Sequence, residues 1–451
     1  MVTSFVSPSS PSGNDRRLEL AGVDLWINGQ ISHVFVYPSD LNIDRMKEAL
    51  SDALSLWPLV AGRFLLLNNG HYVIEMSDNP IPFTFIENTD LSKWPHSSNV
   101  VLDMNQISLK PFLDEIDVTK LMGGSKDEPL FRLKLTHMVQ NNEWIMGISW
   151  SHILGDAAAC LHFLNSVSQL YQQMELPKPT PIFERRLWHK NPIDSSLLPM
   201  MKYLQDGQTR EQTIQRVIVD QSTHDQINMC FSGEQLTRLR TIVDETNVTY
   251  QDALTAYIIL TLNTHCFEND EQYIERTNMI VNIRGVSDKI SPHGHVANAV
   301  MSMRSDPFGD PKSLSSIAMT IRRSIIRARD PTFLESWFST ADNLMRKMVA
   351  NNLVPNTRPP QGEIIVNSYL RYDWADLVDF GYSNKCRFYA TRADVSYIRV
   401  FRLNPVHDGT KWMKRDLQGA EVVFRIDNTI KEKFLNAWKQ DVDENFINVK
   451  K

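Results

Sequence analysis

Ser149-Trp150-Ser151-His152-Ile153-Leu154-Gly155-Asp156-Ala157 is the stretch around which the rest of the chain falls into place. Before it, Leu130 to Met138 alternates, with Phe131, Leu133 and Leu135 on one face and Arg132, Lys134 and Thr136 on the other. Gln140 to Glu143 reads as a turn and Trp144 to Trp150 as a buried strand, so the two runs make a hairpin. After it, Ala157, Cys160, Leu161, Leu164, Val167 and Tyr171 share one face of a helix opened by Asp156. His152 thus stands in a strand-to-helix link, where rigid elements hold a side chain that still reaches a cavity. Gly155 allows the link to turn. Imidazole takes a proton near neutral pH, and a carboxylate close by fixes its surroundings. Taken alone, the pair is equally well a core histidine followed by a helix cap. Of the 12 histidines, His152 alone has aspartate four residues on.

Working outward, 451 residues exceed one ordinary hydrophobic core, and two domains are expected. The chain is 42% hydrophobic and 22% charged, with a net charge of −6. Mixed signs give no reason to expect nucleic acid or an anionic membrane as partner. Cys160, Cys230, Cys266 and Cys386 lie far apart, which argues against a zinc site or disulfide scaffold and fits a reducing compartment, here the cytoplasm. No run approaches the ~20 apolar residues of a membrane helix, so no membrane span is expected. Residues 1–14 are rich in Ser and Pro, unlike a secretory signal, and are expected to form a disordered lead-in.

Strand-like and helix-like stretches are interspersed throughout. Ile31 to Tyr37 and His71 to Met76 read as strands, and Asn42 to Leu56 as a helix. Leu176 to Pro181 breaks the helix that follows His152, and the polar stretch to about Asp225 reads as a long irregular crossover. A strand near Ile227 to Phe231 and a helix from Ser232 come next. Thr249-Tyr250-Gln251-Asp252 resembles a capping box. Ile317, Ile321 and Ile325 stripe a further helix, whose Arg322, Arg323, Arg327 and Arg329 read as a solvated basic face rather than an anion site. From Ile364 strands and turns alternate, ending in a helix near Ile430 to Trp438. The expected class is α/β, divided into an N-terminal domain (1–175), a crossover (176–225) and a C-terminal domain (226–451).

Other chemistries find little support. Gly147-Ile148-Ser149-Trp150-Ser151 lacks the final glycine of a nucleophile elbow. There is no GxGxxG and no phosphate loop. His293 and His295 lack a Cys or carboxylate cluster, and Asp373, Asp376 and Asp379 read as loop carboxylates, so no metal is expected.

His152 gains weight from its company. Leu56-Trp57-Pro58-Leu59-Val60-Ala61-Gly62-Arg63 looks like FYPLAGR with one extra residue. Asp252-Ala253-Leu254-Thr255-Ala256 looks like an ALTA helix start, Asn282-Ile283-Arg284-Gly285 like an arginine loop, and Ala297-Asn298-Ala299 like GNA. Asn367-Ser368-Tyr369 stands where TSW is usual, and Asp379-Phe380-Gly381-Tyr382-Ser383 where DFGWG is usual. In this order along nearly the whole chain, the motifs resemble the BAHD acyl-CoA-dependent acyltransferases.

The resemblance implies two chloramphenicol-acetyltransferase-like domains, each a mixed sheet with flanking helices, joined by a long crossover. A channel between them would take acyl-CoA from one side and a small-molecule acceptor from the other. It further implies that His152 is the base and that Asp156 pairs with Arg284. Asp379 and Gly381 would support the site, Thr249 and Asn298 would contact CoA, and Ser368 and Tyr369 would line the acceptor pocket. Acyl-CoA would be a co-substrate with no further cofactor, and the protein a monomer. Three positions depart from the pattern: Ala157 after HxxxD, Asn367-Ser368-Tyr369, and Tyr382-Ser383. At Ser383 a positive φ would be harder to adopt than at glycine. The SWSHILGDA run also resembles SWAHVLGDA of the eceriferum-type members, which implies an alternative: an accessory protein of fatty-acid elongation. A peptide-synthetase condensation domain shares the fold but usually carries HHxxxDG, whereas Ser151 precedes His152 here.

Overall fold

The computed structural model describes residues 2–449, apart from 12, 14, 15, 69, 90–108, 189–190, 392–393 and 409. In its first half, β1 (Val2–Val6), β2 (Arg17–Glu19) and β3 (Gln30–Tyr37) precede helix α1 (Ile43–Leu56). Strands β4 (Arg63–Leu66), β5 (Tyr72–Glu75) and β6 (Ile81–Asn88) lead to the short α2 (Val118–Met122), then β7 (Phe131–Met138), β8 (Glu143–Ser151) and α3 (Ala157–Tyr171). The crossover carries α4 (Lys202–Gln205) and α5 (Arg210–Thr223). Beyond it come β9 (His224–Phe231), α6 (Gly233–Val243), α7 (Tyr250–Thr261), β10 (Arg276–Asn282), β11 (Val300–Arg304), α8 (Leu314–Arg327) and α9 (Pro331–Ala350). The chain closes with β12 (Glu363–Ser368), α10 (Trp374–Leu377), β13 (Arg387–Ala390), β14 (Tyr397–Arg402), β15 (Ala420–Asp427) and α11 (Lys431–Asp443).

Two six-stranded mixed sheets dominate, in the orders β1-β6-β7-β8-β3-β13 and β11-β10-β12-β14-β15-β9, with a small β2-β5-β4 sheet beside the first. The hairpin read around residue 140 is present: β7 and β8 pair antiparallel from Met138↔Glu143 to Phe131↔Trp150. Asn42 caps α1 by accepting from the Arg45 amide, and Thr249 and Asp252 form the capping box of α7. Such caps satisfy backbone donors that would otherwise be orphaned at a helix start.

Three expectations are corrected. Residues 2–6 are not a loose lead-in: they form an edge strand antiparallel to β6, with Val6 buried and Phe5 turned outward. Val-Thr-Ser-Phe-Val supplies the β-branched alternation an edge needs, which the nearby Ser and Pro obscured. The crossover is not irregular throughout. α5 is a 14-residue helix with a full capping box at Thr209 and Ile214, Val217 and Ile218 at helical spacing, although none of its residues is buried. Finally, the second half does not keep all of its strands in a sheet of its own, as a mixed sheet in each expected domain would have it. β13 leaves the second half and pairs antiparallel with β3, Phe388 opposite Phe35. There Phe35, Trp374 and Phe388 stack into a buried aromatic cluster spanning both halves.

The second sheet turns one face to a large cavity. Across it, Ser302, Ile280, Asn367 and Arg399 lie side by side, and Arg304, Asn278, Ile365 and Tyr397 form the next row. All eight line a cavity of about 1540 Å³, to which the first half contributes Trp26, Gln30 and His152.

Candidate active site

The turn between β8 and α3 is fixed from within and from three distant segments. Inside it, the Trp150 indole donates to the Gly155 carbonyl at 2.9 Å. Gly155 has φ +146°, and a Cβ there would lie 2.9 Å from Ala159 Cβ and 3.0 Å from the Ala297 oxygen, so only glycine fits. From the N-terminal segment, Gly29 O accepts from the His152 amide at 3.0 Å. From the second half, Ala297 O accepts from the Asp156 amide at 3.3 Å. From the crossover, Arg185 donates to the carbonyls of Ile153, Leu154 and Val296.

Asp156 is spent on structure. Its Oδ1 caps α3 by accepting from Ala158 N and Ala159 N, and its Oδ2 accepts from Ala299 N and from Arg284, each at 2.8 Å. Arg284 also donates to the carbonyls of His295 and Ala297. Both partners are buried, so the charges compensate each other in a dry setting.

His152 is served by a different set. Its Nδ1 lies 2.9 Å from Asn298 Oδ1. Asn298 Nδ2 donates to the His152 carbonyl (2.8 Å) and to Asp24 Oδ1 (3.2 Å), and Asp24 Oδ1 also accepts from the Asn298 amide. Asp24 Oδ2 pairs with Arg185 at 2.9 Å, both side chains 1% exposed. Because the amide nitrogen faces only acceptors, the oxygen must face His152, and Nδ1 must carry the proton. Nε2 is then the unprotonated nitrogen of a ring that lines the cavity. Burial lowers the imidazole pKa below its ordinary value; the Asn298 hydrogen bond and the charges of Asp156 and Asp24 oppose this, while Arg399 reinforces it. The ring is held neutral, the form that accepts a proton.

Other expected residues fall in several places. Ser368 and Tyr369 line the cavity, Ser368 donating to Gln251 at 2.7 Å. Thr249 lines it too, its hydroxyl bonded to Asp252 and to Arg322. Asn298 is outside the cavity lining: it is buried beside His152 with both side-chain polar atoms bonded. Asp379 and Gly381 are outside the cavity lining. Asp379 accepts from Gln172, Gly381 N and Ser383 Oγ, pinning the segment to the end of α3. Positive φ falls on Phe380 (+48°) and Gly381 (+98°), not on Ser383. The serine instead closes the turn with its hydroxyl, 2.6 Å from Asp379. The arginine stripe of α8 divides: Arg323 and Arg327 are exposed, Arg322 turns in to buried Asp252, and Arg329 lines the cavity with Arg371. Asp373 and Asp376 both accept from Arg415. Asp24 and Arg185 were not singled out in the sequence, since neither has a neighbour at telling spacing.

A family model described as "Transferase family" matches residues 1–400. The chain belongs to the BAHD acyltransferase family. No curated protein matches it in sequence. Among solved structures it is similar to vinorine synthase, with 16% identity, 96% of this chain and 95% of that one covered, and a TM-score of 0.66. It is similar to TRI101 of F. graminearum complexed with coenzyme A and T-2 mycotoxin, with 12% identity, 95% and 98% coverage and a TM-score of 0.68. At these identities the likeness is one of fold, the two-domain chloramphenicol-acetyltransferase type. In this BAHD fold HxxxD lies in the turn between β8 and α3, bonded to Ala297 of the second half.

Proposed function

We propose that this BAHD protein transfers an acyl group from acyl-CoA to a hydroxyl or amine of a small specialised metabolite, with His152 as general base and no covalent enzyme intermediate. The observation that carries the reading is the neutral His152, its Nδ1 hydrogen committed to Asn298 and its ring on the cavity wall. The acceptor's O–H or N–H proton passes to Nε2 while its oxygen or nitrogen bonds to the thioester carbon. The tetrahedral oxyanion collapses as the C–S bond breaks, and the imidazolium returns the proton to the CoA thiolate. Asp156 holds the turn and takes no proton. Arg329 and Arg371, on the wall of the same cavity, supply positive charge suited to CoA phosphates. TRI101 holding coenzyme A within the same fold supports this use of the cavity. We further propose a cytoplasmic monomer needing no cofactor beyond acyl-CoA, organised as residues 1–175, 176–225 and 226–451. Among the described residues no helix is long and apolar enough to cross a membrane.

The test is calorimetry of the purified chain with CoA and a long-chain acyl-CoA, followed by thiol release over a panel of acyl-CoAs and acceptors. Binding and turnover are expected. No binding of either thioester or CoA, together with co-purification of a membrane elongase, overturns the enzyme in favour of the accessory protein.

A further inference from the structure

Arg399 is an arginine of the site without a carboxylate partner. Around His152, Arg185 pairs with Asp24, Arg284 with Asp156, Arg304 with Glu363 and Arg322 with Asp252. Among the described residues no hydrogen bond or ion pair to a carboxylate reaches Arg399. Asp394, the acidic group nearest in effect, is exposed and acts on it only through longer-range charge. The immediate neighbours are two phenols, Tyr369 and Tyr397, the latter with its ring centre 5.4 Å from the guanidinium carbon. Both phenols are driven by burial to raised pKa values, Tyr369 to about 12, so they are neutral and give no counter-charge. The Tyr397 side chain hydrogen-bonds the guanidinium, but Arg399 Nε is buried without a hydrogen-bond partner.

Its place is as telling as its lack of a carboxylate partner. In β14, Arg399 is paired with Asn367, one residue before Ser368 and in the row turned to the cavity. Its charge is felt at the His152 ring, and at His33 behind it. Arg399 is half-buried, and a partly desolvated cation without a counter-ion carries a cost that an arriving anion removes. The guanidinium fork matches the two oxygens of a carboxylate, and no acidic side chain of the wall occupies it.

We propose that Arg399 anchors a carboxylate carried by one of the two substrates, beside the reacting centre. The inference rests on the acyltransferase reading for what the substrates are, but the anion site stands on a guanidinium that no carboxylate pairs. Acyl transfer then selects an acidic acceptor or an acidic acyl donor over its neutral counterpart.

The experiment compares benzoate with benzamide by calorimetry and thermal shift on the full chain, with acetyl-CoA saturating, in wild type, Arg399→Gln and Arg399→Lys. Malonyl-CoA against acetyl-CoA forms the second arm. Benzoate is expected to bind where benzamide does not, with Arg399→Gln weakening it by about 10- to 100-fold and Arg399→Lys by less. That pattern puts the carboxylate on the acceptor. A preference for malonyl-CoA that Arg399→Gln abolishes puts it on the donor. Equal binding of acid and amide with no malonyl preference overturns the proposal, as does selectivity that survives in Arg399→Gln. If Arg399→Gln fails to fold, equal binding of acid and amide in wild type still overturns the proposal, and the weakened acid binding of Arg399→Lys still supports it. CoA binding is read separately. Its absence beside charge-selective benzoate binding sinks the acyltransferase reading and leaves the anion site, and its presence without selectivity does the reverse.

Discussion

Asn298, not a carboxylate, stands at Nδ1 of His152. The amide accepts the Nδ1 proton, and its own orientation is locked by Asp24 and the His152 carbonyl. His152→Ala should lower turnover by ~10²–10⁴-fold while leaving the melting temperature unchanged. Near-normal turnover in a stable variant would remove the base from the mechanism. Asn298→Leu should reduce kcat by roughly 10-fold or more, the loss of one polar interaction at a proton-transfer site. Because the Asn298 bond raises a pKa that burial has lowered, its loss should also move the acidic limb of the pH–rate profile to lower pH. A purely structural asparagine would leave that limb in place. At this scale His152, Asp156 and Arg284 were legible because a motif with known company names them. Asp24 and Arg185 were not: they reach the site through folding, and nothing local to either marks it.

At the scale of elements, α3 starts on a residue with two duties. Asp156 is both its cap and half of a buried ion pair. Asp156→Ala should cost about 3–5 kcal/mol, since it strands a buried guanidinium. Asp156→Asn keeps a capping oxygen and should cost less, by about 1 kcal/mol. Urea unfolding of both variants checks this; equal stability of the two would mean that the cap contributes nothing. Elements with an apolar stripe or a capping box, such as α1, α3 and α7, could be read from the sequence because burial and capping leave periodic traces. α5 has a capping box too, but its short apolar run sits within a polar stretch and buries nothing, so it was read as part of an irregular crossover. β1 is five residues at an edge, too short for alternation to stand out.

At the scale of the molecule, three described histidines besides His152 are held neutral by burial. Burial lowers His33 to about 3, and His162 and His295 to about 4. In the unfolded chain each takes up a proton near pH 6.5. Between the two values the unfolded state binds more protons, so stability falls as pH drops below 6.5. At pH 5 the His33 share is roughly 2 kcal/mol, and His33→Phe should flatten the decline by that amount in denaturation at a series of pH values. Glu421, pushed up to about 8 by burial, has the opposite slope, which is why the difference between variant and wild type is the quantity to follow. Two halves around a crossover were legible from length and composition. The migration of β13 was not, because a four-residue strand carries no mark of its partner. That migration has a bearing on synthesis. The edge of β3 waits for a partner about 350 residues downstream. At 5–20 residues per second the ribosome needs on the order of 20–70 s to deliver it. For that time a strand reading His-Val-Phe-Val has an open edge during translation, so the nascent chain should depend on chaperone cover until β13 emerges.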